Sequence, residues 1–292
     1  MSEILSEDNR TTNTKTKDSV FTALFKDVNN VYRLYKELHT DDTTTTVDDI
    51  QIDTLETILI NDIRNDLGFL VNNNGKAEYI LLMEAQTKWT ENMSLRILFY
   101  LVESYRRYLI KTEQSEHSST KVHLPKPELY VVYTGNSSKV SDEISFRDTY
   151  FDGVAPIEVV VKVLKVLDKN TLYGQYIAFS KVYDVQRKIY KNKIECIRNT
   201  LDICIKEGYL RDFLEQHRQE VVTMLSSLFD EQAQREQYDI AVKAESKAEG
   251  EELGRLKTLA GLVKDGLLSL AEAAKRAGMT PTDFEIKTVG LA

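Results

Sequence analysis

Asp66, Glu84 and Gln86 are the residues of this 292-residue chain whose types and spacing suggest chemistry. Asp66 precedes one apolar run, Leu67 to Val71, and Glu84 and Gln86 close a second that begins at Tyr79. Between the runs, Asn72, Asn73, Asn74 and Gly75 are turn formers that tolerate positive φ, so the stretch 65–86 reads as a β-hairpin. Side chains alternate across a strand, which puts Glu84 and Gln86 on one face and Met83 and Ala85 on the other. Pairing Val71 with Ala77 across a five-residue loop sets Asp66 opposite Leu82, on the face that carries Glu84. The two carboxylates are then diagonal neighbours, roughly 7–8 Å apart at the backbone, within reach of one hard cation. A shared face requires an odd number of residues between paired positions, or a bulge that resets the alternation.

The same residues carry a family resemblance. Asp66, then Glu84, one intervening residue and Gln86 resemble the acid, acid, x, lysine signature of the PD-(D/E)XK nuclease superfamily, with glutamine where lysine is usual. More narrowly, TLETIL at 54–59, NDLGFLV at 65–71, LMEAQT at 82–87, NMSLR at 92–96 and LPKPELYVVYTG at 124–135 resemble the Rpn group of recombination-promoting nucleases and transposase-like proteins. The similarity runs from about Asp18 to about Asp230. It implies a restriction-endonuclease-like α/β core, a mixed sheet flanked by helices, and Mg2+ or Mn2+ held by Asp66 and Glu84. It also makes Glu56 a candidate outer acid, the alternative being a solvated glutamate. In that superfamily the helix after the catalytic strands packs beside the site, so Arg96 is a candidate phosphate contact, although helical arginines are commonly solvated. Trp89 either stacks on a base or anchors its own turn.

The elements that must position these residues can be read from patterning. Residues 1–17 are polar and carry too little apolar surface to order themselves. From 18 onward Val20, Leu24, Val28, Val31 and Tyr35 recur at helical spacing, followed by a polar loop with four consecutive threonines. Ile50 to Ile63 reads equally as strand or helix. A helix is expected over 93–110, capped by Thr90 or Asn92, with Leu95, Leu98, Phe99, Val102, Tyr105 and Leu109 as its buried stripe. Strands follow over 128–134 and 157–167, and from Tyr173 the pattern is helical to the end. The organisation expected is thus a disordered stretch 1–17, a nuclease-like domain 18–229, and a charged helical tail 230–292. In that tail Ser269 and Thr280 stand as helix caps, and Leu253, Leu256, Leu259, Leu262 and Val263 form an apolar stripe.

Composition narrows the classes. A hydrophobic content of 42% allows one substantial core, and no apolar run approaches the roughly 20 residues that span a bilayer. No secretory signal opens the sequence, so a cytoplasmic protein with no membrane partner is expected. The net charge of -8 argues against a protein that coats DNA, but not against an enzyme whose site needs acids. Cys196 and Cys204 fit neither a redox nor a zinc spacing and read as core. The expectation is a Mg2+-dependent DNA endonuclease linked to recombination or mobile elements. The alternative is a weakly active or inactive DNA-binding module whose helical tail drives homo-oligomer assembly.

Overall fold

The computed structural model describes residues 17–54 and 66–289. Two compact units divide the chain, one up to Phe229 and one from Asp230. In the first, the described strands form one sheet: β1 (Ile50–Ile52), β2 (Leu67–Asn73), β3 (Lys76–Gln86), β4 (Lys126–Tyr133), β5 (Glu143–Ser145) and β6 (Val160–Leu164), in the order β1-β2-β3-β4-β6-β5. The sheet is mixed. β1, β2 and β3 pair antiparallel, β4 joins β3 and β6 in parallel, and β5 closes antiparallel on β6. The near-continuous apolar runs of β3 and β4 suit strands covered on both faces.

Each face has its own core. Phe69, Val71, Leu81, Met83, Tyr130 and Val132 pack beneath helices α1 (Lys17–Leu24), α2 (Val28–Leu38), α5 (Leu172–Ile189) and α6 (Lys193–Glu207). Cys196 and Cys204 lie in this core as unbridged thiols, and burial pushes Cys204 up to about 12. On the other face Leu70, Ile80, Leu82, Leu129 and Val131 pack against α3 (Met93–Lys111) and Phe146 of α4 (Phe146–Phe151). Short α7 (Arg211–Gln216) leads into α8 (Arg218–Lys264), whose Val221, Leu225 and Leu228 belong to the first core.

Three sequence expectations change. The single amphipathic run from 18 breaks into α1 and α2, because the Asp27 side chain accepts from Asn29 N and starts a new helix. The hairpin turn is tighter than a five-residue loop: Asn74 at φ 50 and Gly75 at φ 77 form its two-residue tip, with Asn73 paired to Lys76. Such a turn requires positive φ at both positions. Gly75→Val is therefore expected to cost about 1–2 kcal/mol, read as a lower denaturant midpoint with an unchanged slope. Third, α3 is rotated from its expected stripe. Met93, Ser94, Ile97, Tyr100, Leu101, Ser104 and Tyr108 are its buried residues; of the expected stripe Leu95, Leu98 and Tyr105 pack partly against the same core, while Phe99 and Val102 stand about half exposed at 53% and 50%. The helix carries two apolar faces, and the one that holds small serines and polar-tipped tyrosines sits on the sheet. Asn92, one of the two expected caps, is its N-cap residue, but its side chain makes no capping bond and instead accepts from Tyr150 of α4 at 2.7 Å.

A cross-connection fastens the other face. The His39 ring stacks on Tyr35 at 4.3 Å, its Nδ1 faces Tyr35 O at 3.1 Å and its Nε2 faces Glu128 at 3.0 Å. Both ring nitrogens face acceptors, a pattern that favours the imidazolium. Hydrogen bonding to Glu128 accordingly raises the His39 pKa; for Glu128, burial pushes upward but bonds from His39 and Tyr130 outweigh it and lower the value. The sign follows for each group. The contribution of His39 is complete below its ordinary 6.5 and is lost as pH rises through its higher folded value. That of Glu128 is complete above 4.5 and lost as pH falls through its lower one. Stability of the parent relative to His39→Gln should therefore be greatest near pH 5–6 and shrink in alkali; a flat difference in chemical denaturation across pH 5–9 would refute this.

The second unit contains the remainder of α8, then α9 (Leu270–Ala277) and α10 (Pro281–Thr288). Leu256, Leu259, Ala260, Ala273, Ala274 and Phe284 are its core, with Leu262 partly and Leu253 fully on the outside of the expected stripe. The Ser269 side chain accepts from Glu272 N, Gly278 closes α9 at φ 76, and Thr280 accepts from Asp283 N. No described helix is long and apolar enough to cross a membrane.

Candidate active site

β2 and β3 bring the acids together. Val71 pairs with Tyr79 and Leu67 with Met83, while Asn72 pairs with Ala77, so Glu78 is an extra residue bulging from β3. The tighter turn and this bulge each correct the expected register by one place, so the partners of Leu67 to Val71 lie two places farther along β3. Continued one step past Leu67, the pairing puts Asp66 opposite Glu84 itself rather than Leu82. Directly opposed residues have Cβ atoms about 4.5–5.5 Å apart, closer than the diagonal expected from sequence. Asp66 Oδ2 accepts from Ala85 N at 2.7 Å, which fixes its carboxylate beside the end of β3. Both acids belong to the face covered by α3.

α3 supplies the rest of the site. The Arg96 guanidinium forms an ion pair with Glu84, and its Nη2 also reaches the Tyr100 hydroxyl at 3.4 Å. Glu84 is 5% exposed, and this ion pair offsets part of the cost of burying its charge. Burial works against the charge on Arg96, but Glu84, Tyr100 and Asp66 together hold its pKa above the ordinary value. Burial and then the charge of Glu84 push the Tyr100 hydroxyl up to about 12, with Asp66 acting in the same direction. Asp66, Glu84, Arg96 and Tyr100 are thus one electrostatic unit.

Farther along the same helix, Arg107 and Lys111 both bond Asp53, a 7% exposed residue just after β1, and Asp53 N donates to Gly68 O at 2.8 Å. Only Leu67 separates Gly68 from Asp66, so this second ion cluster steadies the strand that presents the acid. Tyr100, Asp53, Arg107 and Lys111 escaped the sequence reading. The available signal was a polar row through 96, 100, 104, 107 and 111, at helical spacing on a helix expected to cover a sheet.

The remaining candidates do not converge on the acids. Gln86 lies on the Glu84 face by strand alternation, yet its amide nitrogen donates to Lys88 O at 2.7 Å within its own turn. Trp89 meets Tyr133 edge to face at 5.8 Å and packs on the core, the anchoring alternative. Glu56 lies outside the described residues. Among the described residues no cluster of three or more His, Cys, Asp or Glu side chains is arranged to hold a metal; Asp66 and Glu84 are a pair of acids. Clefts of about 690 Å³, between α2, the loop after it and the hairpin tip, and about 470 Å³, beside the end of α3, include neither acid. The charge arrangement rather than cavity size marks the site. No family model, curated protein or solved structure matches the chain.

Proposed function

We propose that the chain is a divalent-metal-dependent DNA endonuclease of the PD-(D/E)XK type, hydrolysing phosphodiester bonds with water and acting in recombination or on mobile elements. The observation that carries the reading is the opposition of Asp66 and Glu84 at the end of β2 and β3, beside Arg96. The ordered motifs shared with Rpn-type nucleases support it. Two carboxylates on adjacent strands are hard oxygen donors, a set that fits Mg2+ or Mn2+. When bound there, such an ion withdraws charge from the scissile phosphate and lowers the pKa of its water. Asp66 and Glu84 would hold it, and the bond from Ala85 N keeps the Asp66 carboxylate oriented.

Gln86 changes how the remaining work is divided. An amide can orient water or a phosphate oxygen, but it supplies no positive charge and no practical base at neutral pH. The nearest cation of the described site is Arg96, whose planar fork suits a phosphate. Incubating supercoiled plasmid with the full chain in Mg2+, Mn2+ or EDTA tests the proposal. Nicking or linearisation that needs the metal is the expected result, and metal-independent or absent cleavage would reject it. Gln86→Lys, which restores the residue usual in the superfamily, is expected to retain or raise the rate.

The second reading, an inactive DNA-binding or assembly module, draws on the Arg96–Glu84 pair and on the net charge of -8. In the second unit Tyr238, Ile240 and Leu253 of α8 stand 70%, 69% and 52% exposed, apolar surface that a second copy could cover. That reading predicts DNA retention without cleavage and a mass by light scattering that drops to the monomer when the chain is cut after Phe229.

A further inference from the structure

Arg96 occupies a carboxylate that the proposed chemistry needs. Its guanidinium bonds the Glu84 oxygen Oε1, while its other contacts are long: 3.4 Å to the Tyr100 hydroxyl and 3.4 Å to Met93 Sδ. The Arg96 side chain is 40% exposed against 7% for Glu84. One partner of the pair is therefore fixed in the sheet and the other is a long side chain with a route to solvent.

We propose that Arg96 is a displaceable counter-ion, which rests on Glu84 until a divalent cation takes its place and then turns its guanidinium to the phosphate of the bound strand. This rests on the metal-dependent reading of the site. Position supports exchange over sharing. The guanidinium bonds Glu84 Oε1 and lies close enough to Asp66 for that charge to act on it too, so an ion held between the two acids would sit beside an unmoved Arg96 and be repelled by it. Displacement also exchanges one cationic partner of Glu84 for another, so the charge that Arg96 offsets stays offset. Once turned, Arg96 presents a bidentate donor for phosphate oxygens from the first turns of α3. It would supply the positive charge that Gln86 lacks.

The exchange has a consequence opposite in sign for binding and for turnover. A cation that must first displace Arg96 binds more weakly than the acids alone would allow, because only the open fraction of molecules is competent. Removing the guanidinium should strengthen cation binding and weaken catalysis. A residue that merely held Glu84 in position would, on removal, weaken both.

The test is a calorimetric titration of the full chain with Ca2+, alongside Mg2+-dependent plasmid cleavage, for the parent, Arg96→Gln, Arg96→Lys and Asp66→Asn. Arg96→Gln is expected to bind Ca2+ roughly three- to tenfold tighter and to cleave more slowly. Arg96→Lys keeps a charge and should fall between. Because Arg96→Gln leaves Glu84 without its ion pair and can misfold, the parent is also followed by the Arg96 side-chain Nε–H signal in NMR, identified by its absence from Arg96→Lys. Saturating Ca2+ should shift it and quicken its solvent exchange. Unchanged or weaker Ca2+ binding in Arg96→Gln, or an Arg96 signal indifferent to Ca2+, overturns the displacement while leaving the metal site intact, provided that Asp66→Asn abolishes binding. Absence of Ca2+ binding and of cleavage in the parent overturns the metal reading and the displacement together.

Discussion

If the proposed nuclease activity holds, Asp66→Asn is expected to lower Mg2+-dependent cleavage roughly a hundredfold or more without loosening the fold. The substitution is nearly isosteric, and the amide oxygen of asparagine can still accept the bond that Ala85 N donates to Asp66 at 2.7 Å. What disappears is one of two negative charges opposite each other at the end of β2 and β3. A bound ion contributes several kcal/mol of charge stabilisation to the transition state, and each loss of about 1.4 kcal/mol slows the reaction tenfold. Glu84→Gln should slow cleavage comparably but also lower the melting temperature, since it dissolves the ion pair with Arg96. Cleavage rates and thermal melts of both variants separate the two effects. A parental rate in Asp66→Asn would move the chemistry elsewhere.

Phe69→Ala has the largest effect expected on stability, about 3–5 kcal/mol. Phe69 is fully buried at 0% exposure, paired with Leu81, and packed in the core that β2, β3 and β4 share with α1, α2, α5 and α6. Truncation leaves a cavity in a place that cannot collapse, because the sheet on one side and several helices on the other hold it open. The ring lies on the face away from Asp66 and Glu84. Folded molecules of the variant should therefore keep their activity while the urea midpoint falls, and an unchanged midpoint would contradict this packing.

The parts of the molecule that sequence disclosed are those fixed by local rules. Asn74 and Gly75 mark a turn by conformational freedom, Ser269, Gly278 and Thr280 mark helix ends by capping chemistry, and the runs 67–71 and 79–83 mark strands by composition. What was illegible depends on contacts between distant segments. The bulge at Glu78 has no signature, since glutamate is at home in a paired strand and the register is decided by which pairing buries both faces. The rotation of α3 was hidden for a similar reason. Leu95, Leu98, Phe99 and Val102 outscore Ser94, Tyr100 and Ser104 in hydrophobicity, yet the latter are the buried ones, Leu95 and Leu98 pack only partly and Phe99 and Val102 face outward, in the orientation that delivers Arg96 to Glu84. β5 and α4, six residues or fewer, are too short for any periodicity to register.

The pairing pattern of β3 has a bearing on the order in which the molecule assembles. On one side β3 meets β2 through a two-residue turn; on the other it meets β4 only after α3 and a long connection have been traversed. Hairpins close in about 1–10 μs, whereas parallel pairing waits on the closure of a far larger loop. Asp66 and Glu84 thus come into opposition in the early, local event, and Arg96 reaches them only when α3 docks. During that interval the two carboxylates face each other across a solvated hairpin that Arg96 has not yet reached. Substitutions at the hairpin tip should slow folding, and substitutions on α3 should chiefly hasten unfolding.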